Sequence, residues 1–126
     1  MLTLVRQPGS CIGLAFRVPA ELADAESAIL WRREMVRGGY APQWHRMLTP
    51  QGDVQALLFA ANCNLPEYLG ELPLDRTAAM VAAASGPLGS NRYYLLSLSA
   101  QLAALGIHDA YISALSQRVQ SLGRRD

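Results

Sequence analysis

From Leu22 onward the apolar positions recur at helical spacing: Leu22, Ala25, Ile29 and Leu30. Pro19-Ala20-Glu21 stands just before them as a start signal. Gly38-Gly39 follows as a stop, because glycine adopts the left-handed conformation that a helix C-terminus often requires. Upstream the pattern is partly alternating instead. Cys11-Ile12-Gly13-Leu14-Ala15-Phe16-Arg17-Val18, ending at Pro19, predicts a strand. Leu2 to Arg6 predicts a shorter one, closed by the turn Gln7-Pro8-Gly9-Ser10.

Beyond Tyr40 two further strands are predicted, Gln43 to Thr49 and Val54 to Ala60. The short connection Pro50-Gln51-Gly52-Asp53 makes them an antiparallel hairpin. From Asn62 to Pro73 the chain is irregular, punctuated by Pro66, Gly70 and Pro73. Three helices are expected after it. Asp75 to Ser85 is alanine-rich and stops at Gly86-Pro87. Asn91 to Leu105 carries Tyr94, Leu95, Leu98, Leu102 and Leu105 on one stripe, and Asp109 to Leu122 starts with a good N-cap and ends at Gly123. Strands first and helices later predict an α+β fold with a mixed or antiparallel sheet.

Composition narrows the function classes. The 126 residues suit a single domain over 1–126, and 51% of them are apolar, which is a globular balance. Eleven Lys and Arg face ten Asp and Glu. With no lysine-rich run, no nucleic-acid partner is expected. The tail Gly123-Arg124-Arg125-Asp126 reads as a solvated terminus. No apolar run approaches the ~18 to 20 residues that cross a bilayer, and the N-terminus does not resemble a signal peptide, so no membrane partner is expected. Cys11 and Cys63 are the only cysteines. Their apolar, strand-like settings predict buried thiols in a reducing cytoplasm.

Familiar chemical motifs are absent from the sequence: no phosphate-cradling glycine loop, no H-E-x-x-H and no C-x-x-C. His45 and His108 fall in different elements without metal-ligand spacing, so no metal is expected. Glu34 stands apart. On a helix it neighbours Leu30 and Trp31, at the C-terminal end where the macrodipole is negative. The ring and the dipole both disfavour the charged carboxylate, whereas Arg33 or Arg37 would favour it. An acid so placed is a candidate general base. An exposed glutamate paired with Arg37 or another arginine is the plainer alternative.

The wider text resembles one family. The run Cys11 to Pro19, then a helix, Arg33-Glu34 and Gly38-Gly39-Tyr40 look like the ChaC family of γ-glutamylcyclotransferases. Pro66-Glu67-Tyr68-Leu69-Gly70 with Pro73-Leu74 resembles the family's N-P-x-Y-L-G-P-x-P-L loop. Gly86-Pro87-Leu88-Gly89-Ser90-Asn91-Arg92-Tyr93-Tyr94-Leu95 resembles its G-P-S-G-x-N-x-E-Y-L segment. The blocks fall in family order from Met1 to about Leu115. The resemblance implies a γ-glutamylcyclotransferase-like sheet or small barrel with flanking helices. It also implies an enzyme that releases 5-oxoproline and Cys-Gly from glutathione, or cyclises another γ-glutamyl amine. Glu34 would be its general acid and base, Tyr94 a substrate-binding hydroxyl, and neither a metal nor an organic cofactor would be required.

The departures are specific. Leu65 stands where the family has the Asn of N-P, and Leu88-Gly89-Ser90 differs from S-G-x. The family's Y-G-S-L loop, whose backbone N–H groups hold the γ-glutamyl end, is not in this sequence, and roughly the first third of the family domain is expected to be missing. An internal start in a longer, active protein and a short homologue both fit. On either view the 126 residues alone are expected to turn over at least ~10²-fold more slowly than a form extended to include that loop. A non-catalytic binding or regulatory fragment completed by a partner is the alternative function. Missing strands would also leave open sheet edges, through which a homodimer is expected.

Overall fold

Pro19 accepts a hydrogen bond on its carbonyl from the Leu22 N–H (3.0 Å), and this 3₁₀ turn over Ala20–Leu22 feeds directly into the first long helix. The computed structural model describes residues 2–36 and 38–123. Arg37, a candidate partner of Glu34, and the tail Arg124, Arg125 and Asp126, expected to be solvated, lie outside the described residues. The chain forms two units, Leu2–Gly70 and Glu71–Asp126.

In the first unit, helix α1 spans Ala23–Met35. Asp24 and Glu26 occupy its first turn and Arg32 and Arg33 its last, an order that complements the helix dipole. It ends as expected: Gly38, at φ +64°, donates from its N–H to the Met35 carbonyl at 3.1 Å. Strands β1 (Tyr40–Thr49) and β2 (Gly52–Ala61) then pair antiparallel, from Tyr40 opposite Ala61 to Thr49 opposite Gly52. The hairpin is longer than the sequence suggests, because the reversal needs only Pro50 and Gln51. Thr49 Oγ1 accepts from the Gln51 N–H, and Gly52 takes φ +115°. Arg46, on β1, donates through Nε to Asp53 Oδ2 on β2 at 2.7 Å.

Two expected strands are not formed. Residues 11–18 have no ladder partner among the described residues, and Ile12, Leu14 and Phe16 are exposed. Alternation of apolar residues makes a strand only where a neighbour takes up the backbone hydrogen bonds. Between Leu2 and Arg6 the expected strand shrinks to a single parallel bridge, Leu4 with Ala60, tied by the Ala61 N–H donating to the Leu4 carbonyl at 2.8 Å.

The second unit holds the three later helices: α2 (Leu74–Ala83), α3 (Asn91–Ala104) and α4 (Ala110–Leu122). Between α2 and α3 lies a minimal hairpin, β3 (Ser85–Gly86) and β4 (Gly89–Ser90). Side chains cap the last two helices. Ser90 Oγ accepts from the Tyr93 N–H at 3.1 Å, and Asp109 Oδ1 from the Ile112 N–H at 2.9 Å. Ala78 of α2, Leu95 of α3, and Ile112, Leu115 and Val119 of α4 form the buried core of this unit. Arg118 of α4 pairs with Asp75 of α2 across its surface (2.6 Å). The class is therefore α+β with antiparallel two-stranded sheets, and the described residues close no barrel.

Candidate active site

Glu34 lies in the last turn of α1, with only 17% of its side chain exposed. Arg33, the residue before it, is 74% exposed and donates from Nε to Glu34 Oε1 at 2.7 Å. Arg33 is thus the arginine the structure places on the carboxylate. The pairing with Arg37 that the sequence also allowed falls outside the described residues.

The helix end is bound to the hairpin just beyond it. Asn62 donates from its backbone N–H to the Gly39 carbonyl at 3.0 Å, and from Nδ2 to the Gly38 carbonyl at 3.4 Å. These bonds bring the last turn of α1 to the ends of β1 and β2 that carry Tyr40 and Ala61. Opposite residues share a sheet face in the register observed, so Phe59, opposite Pro42, lies on the same face as Tyr40. The Leu4–Ala60 bridge lays the N-terminal segment along β2. The result is an open cleft of about 250 Å³ lined by Leu2, Thr3, Leu4, Glu34, Tyr40 and Phe59.

One carboxylate, one alcohol and one phenol therefore meet among apolar walls. Such an arrangement can exchange a proton with an amine and bury the apolar part of a small ligand. Trp31, which helical spacing sets beside Glu34, is half-exposed and does not line the cleft. The aromatic side chains that line it are Tyr40 and Phe59. Sequence reasoning missed Phe59, Thr3 and the role of Tyr40. The parity of the hairpin register was the signal that could have paired Tyr40 with Phe59.

Tyr94 belongs to α3 in the unit Glu71–Asp126 and is 44% exposed. Cys11 and Cys63 are free thiols as expected, but both are exposed and not buried. Their segments lack the covering layer that a packed strand would have had. Among the described residues no three His, Cys, Asp or Glu side chains gather at metal-binding spacing, and no helix is long and apolar enough to cross a membrane.

Comparison with known proteins joins these observations. The family described as ChaC-like protein matches residues 1–122. The chain is 38% identical over 123 residues to the glutathione-specific γ-glutamylcyclotransferase of Escherichia coli (strain K12), covering 97% of this chain and 53% of that protein. It is 35% identical over 103 residues to glutathione-specific γ-glutamylcyclotransferase 1 of Danio rerio, covering 79% and 53%. The chain thus spans about half the length of these curated relatives. Among solved structures, the yeast γ-glutamylcyclotransferase specific to glutathione superposes with a TM-score of 0.71 at 22% identity, over 82% of this chain and 56% of the yeast chain. That likeness is one of fold.

Proposed function

Because this chain belongs to the ChaC-like protein family, we propose that it carries the acid–base centre of a glutathione-specific γ-glutamylcyclotransferase, with Glu34 as the proton-transferring group. The observation that carries the reading is the cleft: Glu34 stands in its wall, part-buried, with Leu2, Leu4, Tyr40 and Phe59 around it.

The reaction explains why a carboxylate belongs there. The α-amino group of a γ-glutamyl compound must attack its own γ-carbonyl carbon and close a five-membered ring. At neutral pH that amine is an ammonium ion and has no lone pair to donate. Glu34 takes one proton from it, the C–N bond of the ring forms, and the bond to the departing amine breaks. The protonated Glu34 then returns its proton to that amine, and the ring nitrogen sheds its second proton along the same route, so 5-oxoproline and Cys-Gly (the latter as its ammonium) leave and no water is consumed. Before the reaction the same carboxylate pairs with the ammonium and holds it near the carbonyl, which raises the effective concentration of the nucleophile. Arg33, bonded to Oε1, orients the carboxylate. Proton exchange between a carboxylate and an amine calls for no metal.

The resemblance and its half-exposed position support Tyr94 as a substrate-binding residue, with its hydroxyl as the contact. Replacement by Phe then raises KM more than it lowers kcat. The family match runs through both units, which supports reading residues 1–126 as one γ-glutamylcyclotransferase-like domain. Free thiols at Cys11 and Cys63 support a reducing, cytoplasmic setting. Self-association is supported by the exposed Trp44 and Leu48 on β1, a strand that pairs with β2 alone among the described residues.

The test is the product. Incubated with glutathione in ¹⁸O-labelled water, the protein should yield 5-oxoproline and Cys-Gly in equal amounts without label. Labelled glutamate would mean hydrolysis and overturn the cyclisation. Glutathione bound but unchanged would instead favour a binding module.

A further inference from the structure

The cleft holds a second polar side chain whose role the reaction leaves open. Thr3 lies in the same wall set as Glu34, Tyr40 and Phe59, and it is exposed where Glu34 and Tyr40 are part-buried. Its backbone is held in place from the next residue, where the Leu4 carbonyl accepts the Ala61 N–H at 2.8 Å and Leu4 bridges Ala60. Its hydroxyl is weakly committed. The contact from Thr3 Oγ1 to the Leu4 carbonyl measures 3.5 Å, the outer limit of a hydrogen bond. Threonine is also stiff at χ1, so a donor there is aimed without the loss of rotamer freedom a longer side chain would suffer.

We propose that Thr3 is a substrate-positioning residue that donates a hydrogen bond to the α-carboxylate of the γ-glutamyl group. The inference rests on the reading of Glu34 as the base. In an α-amino acid the ammonium and the carboxylate sit on one carbon, so whatever holds the first places the second nearby. Glu34 is acceptor-only while ionised, and it repels the α-carboxylate. A neutral donor on another wall of the same cleft lets both charges be met at once. Thr3 supplies that donor without adding a cation that would compete for Glu34. It acts in binding and orientation, and takes no part in the proton transfers.

The experiment compares two probes on the 126-residue chain: glutathione, and glutathione whose γ-glutamyl α-carboxylate is replaced by a carboxamide. Binding of each is followed by NMR titration in wild type, Thr3→Val and Thr3→Ser. Wild type should prefer the carboxylate form by about tenfold, the size expected of one hydrogen bond to a charged group. Thr3→Val should erase this preference by weakening only the carboxylate form, and Thr3→Ser should keep most of it. A merely structural role for Thr3 would weaken both probes alike, and that outcome overturns the proposal. So does a preference that survives in Thr3→Val, or one erased by Tyr40→Phe and not by Thr3→Val. The reading of Glu34 is judged separately, on 5-oxoproline release in Glu34→Gln. Loss of release there with an intact preference in Thr3→Val sinks this inference and leaves the function standing, and the reverse pair of results does the opposite. Failure of glutathione to perturb the cleft at all sinks both.

Discussion

At Glu34 a guanidinium holds one carboxylate oxygen, and a cleft with apolar walls opens beside it. Arg33 is mostly exposed, and ion pairs between such side chains contribute little to stability, about 0–1 kcal/mol. Its contribution is orientation. Arg33→Gln should therefore leave thermal stability within about 1 kcal/mol of wild type, yet lower kcat by about tenfold as the carboxylate loses its aim. Parallel denaturation curves and turnover measurements check this, and a variant that loses stability but keeps kcat would contradict it. The place of Glu34 at a helix end was legible in the sequence, because apolar spacing and the glycine stop are local features; its proposed role came from the family resemblance. Its partners in the cleft were not legible. Thr3, Tyr40 and Phe59 meet only through the hairpin register and the bridge from Leu4 to Ala60, which join residues far apart in the chain.

Among the elements, α4 carries most of the buried side chains of its unit: Ile112, Leu115 and Val119, and with them Ser116. The Ser116 hydroxyl is buried with no hydrogen-bond partner among the described residues. An unpaired buried hydroxyl costs stability, and alanine is also the better helix former. Ser116→Ala should stabilise the protein by about 1 kcal/mol. Leu115→Ala, which empties a fully buried position, should cost roughly 2–5 kcal/mol. Urea unfolding of both variants tests the pair, and a destabilised Ser116→Ala would show that its hydroxyl has a partner. The helices were readable because caps and apolar spacing act within a few residues: Ser90 and Asp109 start α3 and α4 by their own side chains. The stretch 11–18 has comparable alternation and forms no strand, since a strand is completed by a neighbour that the alternation itself does not supply.

Over the whole molecule the distribution of apolar surface is uneven. In the unit Leu2–Gly70, Ile12, Phe16, Trp44 and Leu48 are each 69% or more exposed, whereas Leu95, Leu115 and Val119 of the other unit are fully buried. Exposed apolar side chains beside an open strand edge favour association. The protein should elute larger than a monomer in size-exclusion chromatography, and Trp44→Glu with Leu48→Glu should return it toward the monomer. A wild type that elutes as a monomer at every concentration would refute this. EDTA should leave glutathione turnover unchanged, because the proposed chemistry moves protons between a carboxylate and an amine. A loss restored by Zn²⁺ or Mn²⁺ would refute that account of the mechanism.

The central claim is that Glu34 moves the proton that lets a γ-glutamyl amine cyclise. Glutamine at this position keeps the shape and the hydrogen-bonding reach of the side chain but cannot accept that proton. The decisive measurement is the rate of 5-oxoproline release from glutathione by wild type and Glu34→Gln, with circular dichroism verifying an unaltered fold. The account predicts a fall of at least ~10²-fold in the variant, the contribution expected of a general base. A rate within about tenfold of wild type would contradict it.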